Sequence, residues 1–312
     1  MRLRRAAEAP PERPGPGPLP DALLRALDLH IRRRMEGLLA GDHRSTILGS
    51  GTELAQVRPY EIGDDVRQID WNVTARTGEV HVRVQVAERV LVTWVVLDMS
   101  PSMAFGTADR RKADVAEGVA VAVSHVASRR GNRLGVVTFG DGPTRTLPPR
   151  QGRAGMLGLL LALGGLPEQP PPPARGSEPT SLARALAWTA GIARQRSVVV
   201  VVSDFRGPRD WRRPLLELAG RHELLAVEIR DPREQELPSV GALWLVDPET
   251  RRLIRADTAS AHLRERFATA AANERAGIAT TLASLGIRHV VLSTSGDWLR
   301  PLAGFLRQRE HR

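Results

Sequence analysis

Asp98, Ser100 and Ser102 alternate along the run Asp98-Met99-Ser100-Pro101-Ser102, setting a carboxylate and two hydroxyls on one short arc. Hard oxygen donors in such an arc are what a magnesium- or manganese-class ion prefers. The same residue types also cap helices, because Asp and Ser oxygens accept the free amides of a first turn. Their position matters as much as their chemistry. Residues 90–97, just upstream, are rich in Val and Leu with a Thr and a Trp, and they predict a buried strand of an α/β sheet. Side chains at the carboxyl end of such a strand project into the crevice where open α/β sheets bind ligands.

Two later segments place similar residues at similar points. Ser197 and the five valines after it predict a second buried strand, ending in Ser203-Asp204-Phe205. Glu178-Pro179-Thr180-Ser181 is a polar loop entering an amphipathic helix. Taken singly, Thr180 reads as an N-cap and Asp204 as a turn residue at a strand end. Together the three loops resemble the metal-ion-dependent adhesion site of von Willebrand factor A domains. The first loop of that site follows Asp-x-Ser-x-Ser, the second supplies a threonine, and the third an acidic residue. The resemblance implies that Asp98, Ser100, Ser102, Thr180 and Asp204 hold Mg2+ or Mn2+, with a position left for a carboxylate of a protein partner. Ser181 departs from the Asp or Asn that usually follows the threonine.

A second signature lies upstream. Gly49-Ser50-Gly51-Thr52-Glu53-Leu54 is followed by Arg58-Pro59-Tyr60-Glu61-Ile62-Gly63-Asp64-Asp65-Val66-Arg67-Gln68-Ile69-Asp70-Trp71-Asn72-Val73-Thr74-Ala75-Arg76. This long and unusually ordered motif is similar to the hallmark of the domain-of-unknown-function 58 family, in which it leads into a von Willebrand A-like domain. Leu54 stands where the common form has Phe. The two signatures span residues 45–312. Members of that family typically sit in operons with MoxR-type AAA+ ATPases, so the resemblance implies such an ATPase as partner, together with an acidic client.

Composition narrows the classes. A chain of 312 residues with 42% apolar residues can bury a large core. It has no cysteine, which excludes disulfides, thiolate nucleophiles and Cys-ligated metals and fits a cytoplasmic setting. No apolar stretch reaches the ~18–20 residues of a membrane span, so no membrane span is expected. The net charge is +10, and Lys112 is the only lysine among 45 basic residues. The arginines are spread out as pairs such as Arg129-Arg130, Arg212-Arg213 and Arg251-Arg252, and aromatics make up only 4%. A nucleic-acid surface would cluster basic and aromatic residues on one face, so an acidic protein partner is the better expectation.

Residues 1–20, rich in Pro and Arg, predict a disordered leader. Residues 21–89 predict an N-terminal helix over 22–39 and a β-rich motif segment whose charges form a salt-bridged clasp over Tyr60 and Trp71. Residues 90–312 predict the von Willebrand A-like domain, an α/β fold with a doubly wound, mostly parallel sheet. Strands are expected at 90–97, 133–139, 197–202, 223–229 and 288–292, with a hairpin near 242–253. Helices are expected near 110–129, 152–163, 181–194, 212–221, 259–285 and 297–309. A proline-rich loop at 167–176 should overhang the metal edge.

No catalytic constellation emerges. Ser100 and Ser102 have no histidine close by in sequence, and Gly-x-Ser-x-Gly, the P-loop and His-Glu-x-x-His are all absent. The expectation is a non-enzymatic, metal-dependent interaction module. The alternatives are a metal-dependent hydrolase of phosphatase or nuclease type, or an arginine-driven nucleic-acid binder.

Overall fold

The computed structural model describes residues 53–86, 92–128, 132–140, 142–152, 154–155, 158–159, 181–246 and 252–307. The leader at 1–20, the helix at 22–39 and the proline-rich loop at 167–176 lie outside them, as does most of the helix at 152–163. The chain divides into two units, one formed by residues 33–90 and the other containing everything from residue 91 onward.

In the first unit, β1 (Glu53–Pro59) pairs antiparallel with β2 (His81–Val86). Between them runs a helix, α1 (Trp71–Thr77), where only strands and loops were expected. Its signals are local. The Asp70 side chain accepts the amides of Asn72 and Val73 as N-cap, and Gly78 closes the last turn in the left-handed conformation, with φ 77°. The charges are largely spent within the unit: Arg58 grips Asp64 in a bidentate pair at 2.9 and 2.7 Å, and Arg83 reaches Asp70 at 2.8 Å. The clasp therefore exists, but Trp71 is 69% exposed and does not pack beneath it.

The second unit is built on a six-stranded sheet of order β10-β7-β6-β3-β4-β5. Its strands are β3 (Val92–Asp98), β4 (Arg133–Gly140), β5 (Gly142–Gln151), β6 (Val198–Ser203), β7 (Glu223–Arg230) and β10 (Arg288–Ser293). Five run parallel, and β5 is an antiparallel edge. The parallel strands fall where the valine- and leucine-rich runs predict them. β5 was not expected, because Pro143, Pro148 and Pro149 interrupt it; an edge strand tolerates prolines that cannot donate to a ladder. β8 (Ala242–Val246) and β9 (Leu253–Asp257) form the hairpin.

Helices cover both faces. On one, α2 (Lys112–Ser128) packs on β3 and β4 and α6 (Leu299–Arg307) on β10. On the other, α3 (Leu182–Ile192), α4 (Arg212–Ala219) and α5 (Ala261–Ser284) bury Leu186, Leu215, Leu218 and Leu282 against Val96, Val199 and Val201. The fold is thus a doubly wound α/β sheet. After β3 the chain moves outward to β4, then returns to the other side of β3 as β6. β3 and β6 therefore flank the point where the strand order reverses, and loops leaving neighbouring strands in opposite directions open a crevice there.

Candidate functional site

The crevice at the ends of β3 and β6 is where four of the five expected residues meet. Asp98 is the last residue of β3, and Asp204 directly follows β6. After Asp98 the chain turns through Ser100 into a short 3-10 segment, Pro101–Ala104. The Ser100 amide donates to Asp98 Oδ1 at 2.9 Å, and the Ser100 and Ser102 hydroxyls lie 3.0 Å apart. Ser102 in turn hydrogen-bonds Asp204. Thr180 lies outside the described residues.

Backbone packing holds this arc in place. The Met99 amide donates to the carbonyl of Phe139 at 2.7 Å. Gly140, at φ 105°, lets the end of β4 press against the turn, since a Cβ there would sit 2.4 Å from the Ser100 nitrogen. The other loop is anchored by Phe205, a rare non-glycine residue in the left-handed region at φ 54°. Its ring is buried edge-on against Trp211, with centroids 5.6 Å apart.

Ser203, Lys112, Arg206 and Glu234 join the site through contacts that local sequence patterns do not reveal. The Ser203 hydroxyl donates to Asp98 Oδ2 at 2.5 Å while accepting the Phe205 amide. Lys112, at the start of α2 and fully buried, places Nζ 2.7 Å from Asp204 Oδ2 and 2.6 Å from Glu234 Oε1. Arg206 donates its amide to Asp204 Oδ1 and its guanidinium to Glu234 and to Glu274 of α5. A shallow cleft opens beside this network, bordered by Asp204, Arg206, Glu234, Glu274 and Ile278.

The two carboxyls are pushed in opposite directions because their neighbours differ. Burial, reinforced by the negative charge of Asp204, pushes the Asp98 carboxyl up to about 7, against the hydrogen bonds from Ser203 and Ser100. Burial acts in the same sense on Asp204, but the Lys112 ammonium outweighs it and holds that carboxyl below its usual range. Lys112 is the mirror case: burial opposes its charge, while Asp204 and Glu234 together keep the ammonium above its ordinary value.

Among the described residues no three Asp, Glu or His side chains gather as a metal cluster. Asp204 was expected as a ligand too, but its oxygens are taken by the Lys112 ammonium and the Arg206 amide, so an ion at this arc would rely on Asp98, the Ser100 and Ser102 hydroxyls and water. That donor set fits magnesium, which keeps several waters and takes one or two carboxylates.

Fold and site together define a doubly wound α/β domain with an acidic, hydroxyl-lined crevice at its switch point. The chain belongs to the family described as "Protein of unknown function DUF58", whose model matches residues 56–277. It is 41% identical over 288 residues to uncharacterized protein Rv1480 of Mycobacterium tuberculosis, covering 92% of this chain and 89% of that one. An uncharacterized protein of Mycobacterium avium is 40% identical over 163 residues, covering 52% of this chain and 93% of that one. Similar solved structures include BatB from Bacteroides thetaiotaomicron (13% identity, TM-score 0.45, 69% of this chain and 97% of that one). The VWA domain of SpRpn10 is another (14% identity, TM-score 0.37, 71% and 96%). Among the described residues no helix is long and apolar enough to cross a membrane.

Proposed function

We propose that this chain is a non-enzymatic, cytoplasmic interaction module that captures a carboxylate of a protein partner through Mg2+ or Mn2+ held at Asp98, Ser100 and Ser102. The observation that carries this reading is the hydrogen-bonded arc Asp98–Ser100–Ser102–Asp204 at the switch point of the sheet. Such an arc gives a divalent ion oxygen donors on one side and leaves its other side to water or a partner. A fixed, doubly charged ion strengthens contact with an acidic side chain well beyond an ordinary surface ion pair.

The family resemblance suggests the partner: a MoxR-type AAA+ ATPase, for which this chain would act as an adaptor towards an acidic client. Thr180 is proposed as a further ligand on the resemblance to the von Willebrand A metal site. The test is a titration of that ATPase against this chain with and without EDTA, at low and moderate salt. Binding lost with EDTA and with Asp98→Ala supports the metal bridge. Binding that ignores EDTA but disappears in salt would assign the contact to the surface arginines instead.

A further inference from the structure

The one lysine of the chain sits where a cation matters most. Every other basic position is arginine, yet the side chain between Asp204 and Glu234 is Lys112, fully buried. An ammonium is a compact point charge that fits between two carboxylates, whereas a guanidinium is planar and needs forked partners. Lys112 contacts Asp204 Oδ2 and Glu234 Oε1 at 2.7 and 2.6 Å, and Glu234 Oε1 also accepts from Arg206 at 2.9 Å. The second oxygen of Asp204 takes the Arg206 amide, and Ser102 bonds the same carboxylate. Asp204 is thus satisfied by a cation and by donors. Asp98, by contrast, receives neutral donors, the amide and hydroxyl of Ser100 and the Ser203 hydroxyl. The arc holds two carboxylates of unequal standing: one already neutralised from within, one not.

We propose that the Lys112 ammonium is a built-in cation that neutralises Asp204 and so keeps the affinity of the crevice for a divalent ion low. A partner carboxylate must then join before the ion is held firmly. This rests on the metal site proposed above and adds its regulation. A positive charge fixed beside the site repels an incoming divalent ion, and removing it leaves Asp204 and Glu234 free to attract one. Metal and acidic partner therefore bind as a pair, each weakly alone, because the partner supplies the negative charge that Lys112 has cancelled.

The test is calorimetric titration of Mn2+, with Mg2+ in parallel, into the wild-type chain and Lys112→Met, with thermal melts of both proteins with and without metal. Lys112→Met should bind Mn2+ about tenfold or more tightly than wild type. It should also melt lower without metal and recover stability when Mn2+ is added. Equal affinity in the two proteins overturns the inference while leaving the metal site standing. Binding by Lys112→Met alone upholds the inference, since the natural chain is expected to hold the ion firmly only once a partner carboxylate has joined. No response in either protein overturns both. Should Lys112→Met fail to fold even with metal, Glu234→Gln decides: it leaves Lys112 less compensated, so weaker Mn2+ binding than wild type supports the inference and unchanged binding overturns it.

Discussion

Replacing Asp231 by asparagine should loosen the whole carboxyl edge of the sheet. Asp231 follows β7 and is fully buried. Its Oδ2 accepts the Thr107 amide and the Thr294 hydroxyl at 2.8 and 2.7 Å, and its Oδ1 accepts the Thr107 hydroxyl and the Arg233 amide at 2.6 and 2.9 Å. One side chain thus ties the loop before α2 to the ends of β7 and β10, and caps the turn carrying Glu234, the partner of Lys112. Asparagine keeps one accepting oxygen, so two of the four donors lose their acceptor. Hydrogen bonds to a charged group contribute about 1.5–3 kcal/mol each and are not additive, so a loss of about 3 kcal/mol is expected. For a domain of this size that lowers the melting temperature by about 6–12 °C. Burial alone would raise the Asp231 pKa, but the bonds from Thr107, Thr294 and Arg233 outweigh it and hold the carboxyl below its usual range. A group depressed in the folded state contributes stability that is complete above the unfolded value, and loses it as pH falls through the folded value. Urea denaturation of wild type and Asp231→Asn should therefore differ by about 3 kcal/mol near pH 7, with the gap closing below about pH 4. A gap under about 1 kcal/mol, or one that does not change with pH, would refute the reasoning.

Two further outcomes follow from the same geometry. Gly140→Ala should cost about 3 kcal/mol in thermal or urea melts, from the clash with the Ser100 backbone and the positive φ together; a variant as stable as wild type would show that the close approach is not needed. Asp98→Ala should remain folded, within about 1 kcal/mol of wild type, because removing a buried acid offsets the acceptor lost to Ser100 and Ser203. It should also lose any thermal response to Mg2+, and unfolding of this variant at room temperature would contradict a site that rides on an independently stable core.

The parallel strands were legible because each is an almost unbroken apolar run, and burial on both faces of a parallel sheet demands that composition. Asp98 and Asp204 were legible for a related reason: a polar residue closing such a run has nowhere to go but the strand end. β5 escaped notice because its prolines argue against a strand unless its edge position is already known. α1 escaped because Asp70 and Gly78, its two caps, sit inside a motif crowded with other charges. Ser203, Lys112 and Glu234 are set by tertiary contact. Lys112 meets Asp204 across 92 positions and Glu234 across 122, and no local spacing encodes such a pairing. The single trace in the sequence is the lone lysine in an arginine-rich chain. An ammonium fits the buried gap between two carboxylates better than a planar guanidinium does.

The most direct test of the metal bridge is a crystal of the protein soaked in Mn2+ and measured for anomalous scattering. A peak is expected within coordination distance of the Ser100 and Ser102 hydroxyls, beside Asp98 and away from the Lys112 ammonium, with the Thr180 side chain turned towards it. Anomalous peaks only elsewhere on the molecule, or none at all with the arc left as hydrogen-bonded as it is here, would contradict it.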